Sequence, residues 1–126
     1  MDDQIAWHVE LVVKPGQWDA FYALTNAMVQ STKNESGALI YERFISEDRQ
    51  VVHVVERYVD SLAAVTHLQA FATLYGAQFS SVVERKRFTV FGTPSHELKQ
   101  MLDRFGAVYL SRLAGFSRVE ERRDEK

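Results

Sequence analysis

Residues 38–45 (ALIYERFI) and 51–58 (VVHVVERY) restrict the fold of this chain more than any other stretch. Both runs are short and rich in β-branched and aromatic residues, and the polar group Ser46-Glu47-Asp48-Arg49 separates them. That pattern predicts a β-hairpin, opened by Gly37 and closed by Asp60. Beyond Asp60 the apolar period lengthens from two to about 3.6, so the hairpin runs into a helix. Both strands carry large apolar residues on both parities. Ile40 and Phe44 oppose Leu39, Tyr41 and Ile45, and Val51 and Val55 oppose Val52, Val54 and Tyr58. An antiparallel sheet with one face in water carries polar residues on that face. Here both faces need cover. A second copy of the same sheet supplies it, which predicts a homodimer through the sheet faces, and the extension after Gly92 is the alternative cover for part of it.

The rest of the chain completes this unit. Residues 5–14 alternate, with Trp7, Val9, Leu11 and Val13 on one face and His8, Glu10, Val12 and Lys14 on the other. Pro15-Gly16 ends that strand. Residues 17–34 place Trp18, Phe21, Leu24, Met28 and Val29 in a helical stripe, with Gly37 expected as a left-handed exit. Asp60 is expected to cap a second helix. Its stripe is Leu62, Val65, Leu68, Phe71, Ala72, Tyr75, Phe79 and Val82, with a break near Leu68–Gln69. Glu84-Arg85-Lys86 marks the exit, and residues 86–92 form a fourth strand.

The order β-α-β-β-α-β is the ferredoxin-like arrangement, an α+β fold with an antiparallel sheet. Residues 1–92 form that domain, and residues 93–126 form a C-terminal extension packed on it. In the extension Ser95 caps a short helix bearing Leu98, Met101, Leu102 and Phe105. Gly106 breaks that helix, residues 107–113 form a strand or a packed arm, and residues 118–126 form a charged tail.

Composition removes several classes of function. With no cysteine, the 126-residue chain has no disulfide, thiolate metal site or cysteine nucleophile. A net charge of −2 creates no basic field for nucleic acid or an anionic membrane. The basic residues Arg118, Arg122 and Arg123 are interleaved with acids, as in a solvated tail. The acidic start MDDQIAW lacks the parts of a signal peptide, so a cytoplasmic protein is expected.

The stretch ESGALIYERF, followed by VVERYVDSLAAVTHL, resembles the antibiotic biosynthesis monooxygenase (ABM) domain family. The similarity is carried by Glu35, Gly37, Tyr41, Glu56, Tyr58, His67 and Leu68, and by the opening VELVVKPGQWDAF. It covers roughly residues 5–92. The resemblance implies a dimeric α/β barrel, with a pocket in each protomer between the sheet and its helices. Family members include cofactor-free oxygenases acting on phenolic or quinol-type aromatics, haem-degrading oxygenases, isomerases and proteins without known activity. The haem-degrading branch resembles an Asn-Trp-His triad, and the corresponding positions here hold Val9, His67 and Ala77. Neither haem nor flavin is therefore expected.

Against that background His67 is the candidate catalytic residue. An imidazole with a reference pKa of about 6.5 can take a proton from a phenol near neutral pH. Tyr41, Tyr58 and Tyr75 are candidates to orient a flat aromatic substrate, and Trp7, Phe21 and Phe71 to stack on it. Ordinary core packing explains the same residues equally well. Glu42 and Glu56 are expected to pair with Arg43 or Arg57 across the hairpin. His8 and His53 lie on strands near Glu10, but nothing in their spacing defines a metal site, and none is expected. The expected function is cofactor-independent oxidation of a phenolic small molecule by O2. The alternatives are a non-catalytic binding module, or an isomerase using the same pocket.

Overall fold

The computed structural model describes residues 3–119. Strand β1 (Ile5–Val13) leads to helix α1 (Trp18–Lys33), then to the hairpin β2 (Ala38–Ile45) and β3 (Val51–Tyr58). Helices α2 (Ser61–Leu74) and α3 (Gly76–Val82) follow, then β4 (Val83–Phe91), α4 (His96–Asp103) and β5 (Val108–Leu110). The sheet order is β2-β3-β1-β4-β5. The first four strands are antiparallel neighbours, as the ferredoxin-like reading requires. Within 107–113 only Val108–Leu110 form a strand, parallel to β4, so the complete sheet is mixed and open.

Alternation sets the two faces. On the inner face Trp7, Val9, Leu11 and Val13 join Val52, Val54, Phe88 and Val90 under the helices. Phe21, Leu24 and Met28 of α1 close over them, as their spacing predicts. Asp60 caps α2 by accepting a hydrogen bond from the Ala63 amide at 2.9 Å.

Four local expectations need correction. Gly37 does not take the left-handed conformation, and α1 ends on Asn34 with right-handed dihedrals. The glycine is needed for space, since a Cβ there would lie 2.5 Å from the Cβ of Ala63. The long helix does not break near Leu68–Gln69 but at Tyr75, whose φ of −134° and ψ of −12° leave the helical region. The α2 stripe is also rotated. Leu62 is 72% exposed and Ala72 is exposed, while Ala64, Val65, His67 and Leu68 are buried. The inward face thus runs through Ala64, Val65, His67 and Leu68, one position round from the expected stripe. Finally β4 begins at Val83, three residues before Lys86, because Val83 pairs with Val13.

The extension joins the core. Leu98 and Leu102 of α4 are fully buried, and the Ser95 amide donates to Ser61 Oγ at the start of α2. Ser95 caps α4 through the Leu98 amide, and Gly106, with a φ of 70°, ends the turn that follows. The Gln4 side chain reaches the Val119 carbonyl at 2.9 Å. The remainder of the expected tail, residues 120–126, lies outside the described residues. No helix of the described residues is long and apolar enough to cross a membrane.

Candidate active site

The hairpin register assembles the site. Tyr41 stands opposite Glu56, and Arg43 stands opposite Val54, so Tyr41, Arg43 and Glu56 share the inner face with Tyr58. The expected pairing of Glu56 with an arginine across the hairpin is thereby overturned. Its cross-strand partner is a tyrosine, and Arg57 belongs to the other face. Glu42, opposite Val55, is exposed and makes no ion pair among the described residues.

His67 comes down from α2 onto this group. Its Nδ1 lies 2.9 Å from Glu35 Oε1, and its Nε2 lies 3.4 Å from Glu56 Oε1. The Tyr58 hydroxyl donates to the same Glu56 oxygen at 2.6 Å. Ionised carboxylates only accept, so Nδ1–H donates to Glu35. The contact between Nε2 and Glu56 is attractive when one proton lies on either side of it. The rings of Tyr41 and Tyr58 flank the imidazole, with centroids at 5.4 and 5.0 Å.

Burial and the nearby Glu56 carboxylate hold the Tyr58 phenol well above its ordinary pKa of 10.0. Burial and Glu56 also raise Tyr41, against the lowering effect of Arg43 beside it. Both phenols therefore stay neutral near physiological pH and serve as hydrogen-bond donors.

The group opens onto a cavity whose empty space, open solvent included, is about 420 Å³. Val9, Leu11 and Val54 form its floor, and Trp7, Phe71, Phe79, Phe88 and Phe105 form apolar walls. His67, Glu56, Tyr41, Arg43 and Arg85 supply the polar lining. A second, smaller cleft lies behind the wall made by Met28, Tyr41, His67 and Phe71. Glu35, Thr32 and Tyr75 line this second cleft and not the first.

The structure brings Trp7, Tyr41, His67 and Phe71 together on the main cavity. Tyr58 is buried behind it as the donor to Glu56, and Tyr75 stands in the second cleft, its hydroxyl 3.4 Å from the Ala27 carbonyl. Phe21 lines neither cavity and packs in the core, where its ring meets Trp18 at 6.0 Å. Sequence reasoning did not single out Glu35, Arg43, Arg85 or Phe105 as site residues. The parity of β2 already puts Arg43 on the side of Tyr41, so that signal was available. The other three depend on contacts between distant elements.

On the outer sheet face His8 Nε2 and His53 Nδ1 lie 2.7 Å apart, with their rings stacked. Among the described residues no group of three or more His, Asp or Glu side chains could hold a metal ion.

Comparisons with known proteins agree with this architecture. The structure of MupZ from Pseudomonas fluorescens superposes with a TM-score of 0.79 at 24% identity, covering 94% of this chain and 91% of that one. Rv0793 from Mycobacterium tuberculosis gives 0.63 at 25% identity, covering 74% and 97%. A conserved protein from Methanosarcina mazei Go1 gives 0.63 at 16% identity, covering 71% and 91%. The wider coverage with MupZ takes in the extension as well as the four-stranded core. No curated protein matches the sequence. The sequence pattern of antibiotic biosynthesis monooxygenases matches residues 5–84, well over half of the chain, and the protein therefore belongs to the antibiotic biosynthesis monooxygenase family.

Proposed function

We propose that this protein is a cofactor-independent monooxygenase that oxidises a phenolic or quinol-type aromatic. The observation that carries the reading is His67, buried on the wall of an aromatic cavity and held between the carboxylates of Glu35 and Glu56. A phenol entering beside Trp7 and Phe71 gives its proton to the His67–Glu56 pair. The resulting phenolate is electron-rich enough to react with O2 at a ring carbon. The hydroperoxide formed there takes up the proton and then loses water across its C–H and O–OH bonds, leaving a quinone carbonyl. One oxygen atom enters the product and the other leaves as water. All electrons come from the ring, so phenol plus O2 balances quinone plus water.

The two-cleft arrangement supports this role. Glu56 faces the substrate side, and Glu35, with its side chain 19% exposed, faces the second cleft. The imidazole between them provides a proton route that does not pass through the substrate mouth. Haem fits this donor set poorly. Val9 and Ala77 have no ligating atom, and both nitrogens of His67 face carboxylates.

We also propose a homodimer through the outer sheet face. Phe44, Phe91, Val108 and Leu110 stand exposed on that face, and Leu113 and Phe116 extend exposed beyond β5. Native mass spectrometry at twice the chain mass is the expected result, and a monomer overturns the assignment.

The same proton relay favours an isomerase as the second reading, because it is complete without oxygen. Oxygen uptake with a panel of phenols and quinols tests the first reading, and strict anaerobiosis separates the two. Uptake should fall about a hundredfold or more in His67→Ala, with the far-UV circular dichroism retained. Full activity in that variant removes His67 from the mechanism. Turnover without oxygen overturns the oxygenase and leaves the isomerase.

A further inference from the structure

We propose that the substrate carries a carboxylate and that Arg43 anchors it. The inference rests on the acid–base reading above and adds the class of molecule the cavity takes.

Arg43 projects into the cavity from β2. Its Nη2 donates to the Tyr41 hydroxyl at 3.0 Å and lies 4.0 Å from Met28 Sδ. Its Nε and Nη1 are shut off from solvent and meet no hydrogen-bond partner. A guanidinium cannot give up its charge to escape burial. Buried donors without partners are rare, and water, an ion or a ligand can supply the missing acceptor. Among the described residues no carboxylate lies within ion-pair range of Arg43. Glu56 is committed to Tyr58 and His67 instead. The charge that the cavity lacks beside Arg43 is therefore negative, and the donors it offers suit a carboxylate.

The spacing matches a hydroxylated aromatic acid. Arg43 lies two residues along β2 from Tyr41, which is the cross-strand partner of Glu56. Two residues of strand span about 7 Å, the scale of one aromatic ring with its substituents. A carboxylate at Arg43 thus leaves a phenolic hydroxyl at the far side of the ring near Glu56 and His67. Val9, Val54 and Phe88 supply apolar contact for the ring between the two ends. Arg85 reaches the same cavity from β4, with its guanidinium held over the Phe105 ring at 4.5 Å.

Anaerobic calorimetric titration tests this without turnover. The probes are 4-hydroxybenzoic acid and its methyl ester, which differ in charge and share the ring. The acid should bind about tenfold or more tightly than the ester to the unaltered protein. In Arg43→Gln that preference should vanish while the ester's affinity changes less than about twofold, and Arg43→Lys should keep part of it. Equal affinity of acid and ester overturns the proposal, as does a preference for acid that survives Arg43→Gln. Failure of both probes to bind at millimolar concentration overturns it too. The comparison in the unaltered protein stands even where a variant does not fold. Preference for the acid without any oxygen uptake overturns only the oxygenase reading. Uptake with neutral phenols and no preference for acids overturns only the role of Arg43.

Discussion

Glu35 Oε1 lies 2.9 Å from His67 Nδ1 although a complete hairpin separates the two residues in the chain. The contact depends on how closely the start of β2 approaches α2. Gly37 meets Ala63, and Ala63 precedes His67 by four residues, one turn along the same helix face. The glycine that lets the two elements touch thus sets the distance at which glutamate and histidine meet.

Glu35→Gln should keep the shape of this contact and remove its charge. The imidazole then loses the carboxylate that orients it. The expected outcome is a fall in kcat of about tenfold or more with KM little changed. Steady-state oxygen uptake checks it. A kcat equal to that of the unaltered enzyme would show that Glu35 has a structural role alone.

Gly37→Ala should destabilise the fold by ~1–3 kcal/mol, because the new methyl group falls 2.5 Å from the Ala63 Cβ and one element must shift. Denaturant unfolding measures the loss. The same shift should weaken the pairing of Glu35 with His67, so activity should fall even where the protein remains folded.

Alkaline pH should weaken the folded state through Tyr41 and Tyr58. Both phenols are held above 10.0 in the folded protein, chiefly by burial, so the fold keeps protons that the unfolded chain releases. Their contribution is complete below about pH 10 and is lost as pH rises from there through the higher folded values. The slope is at most about 1.4 kcal/mol per pH unit for each proton. Urea unfolding at increasing pH should show it, and Tyr58→Phe should make the decline shallower. A stability that is flat above pH 10 would contradict the assignment.

Leu98→Ala should cost ~2–5 kcal/mol, since Leu98 is fully buried in the core although it lies beyond the segment that carries the family pattern. Thermal unfolding should remain a single transition at a lower Tm. A change below about 0.5 kcal/mol would mean that the extension is detached from the domain in solution.

The alternation of residues 5–14, 38–45 and 51–58, the stripe on α1, and the Asp60 and Ser95 caps were enough to define the strand and helix order. Such signals are local. Side-chain parity and helical period follow from backbone geometry within a few residues, so they can be read without knowing what packs where. His67, Tyr41 and Phe71 were recognisable as site candidates for the same reason, and His67 and Tyr41 also because they stand in a pattern the family shares.

Folding decided what the local signals left open. The rotation of α2 turned Leu62 outward and Ala64 inward. The hairpin register gave Glu56 a tyrosine and a histidine in place of an arginine. Glu35, His67 and Glu56 come from a loop, a helix and a strand, and Arg43 and Arg85 come from strands separated by two others. The local pattern established which residues face inward. Which of them meet is a long-range property, set by register and by the distance at which a helix can rest on a sheet.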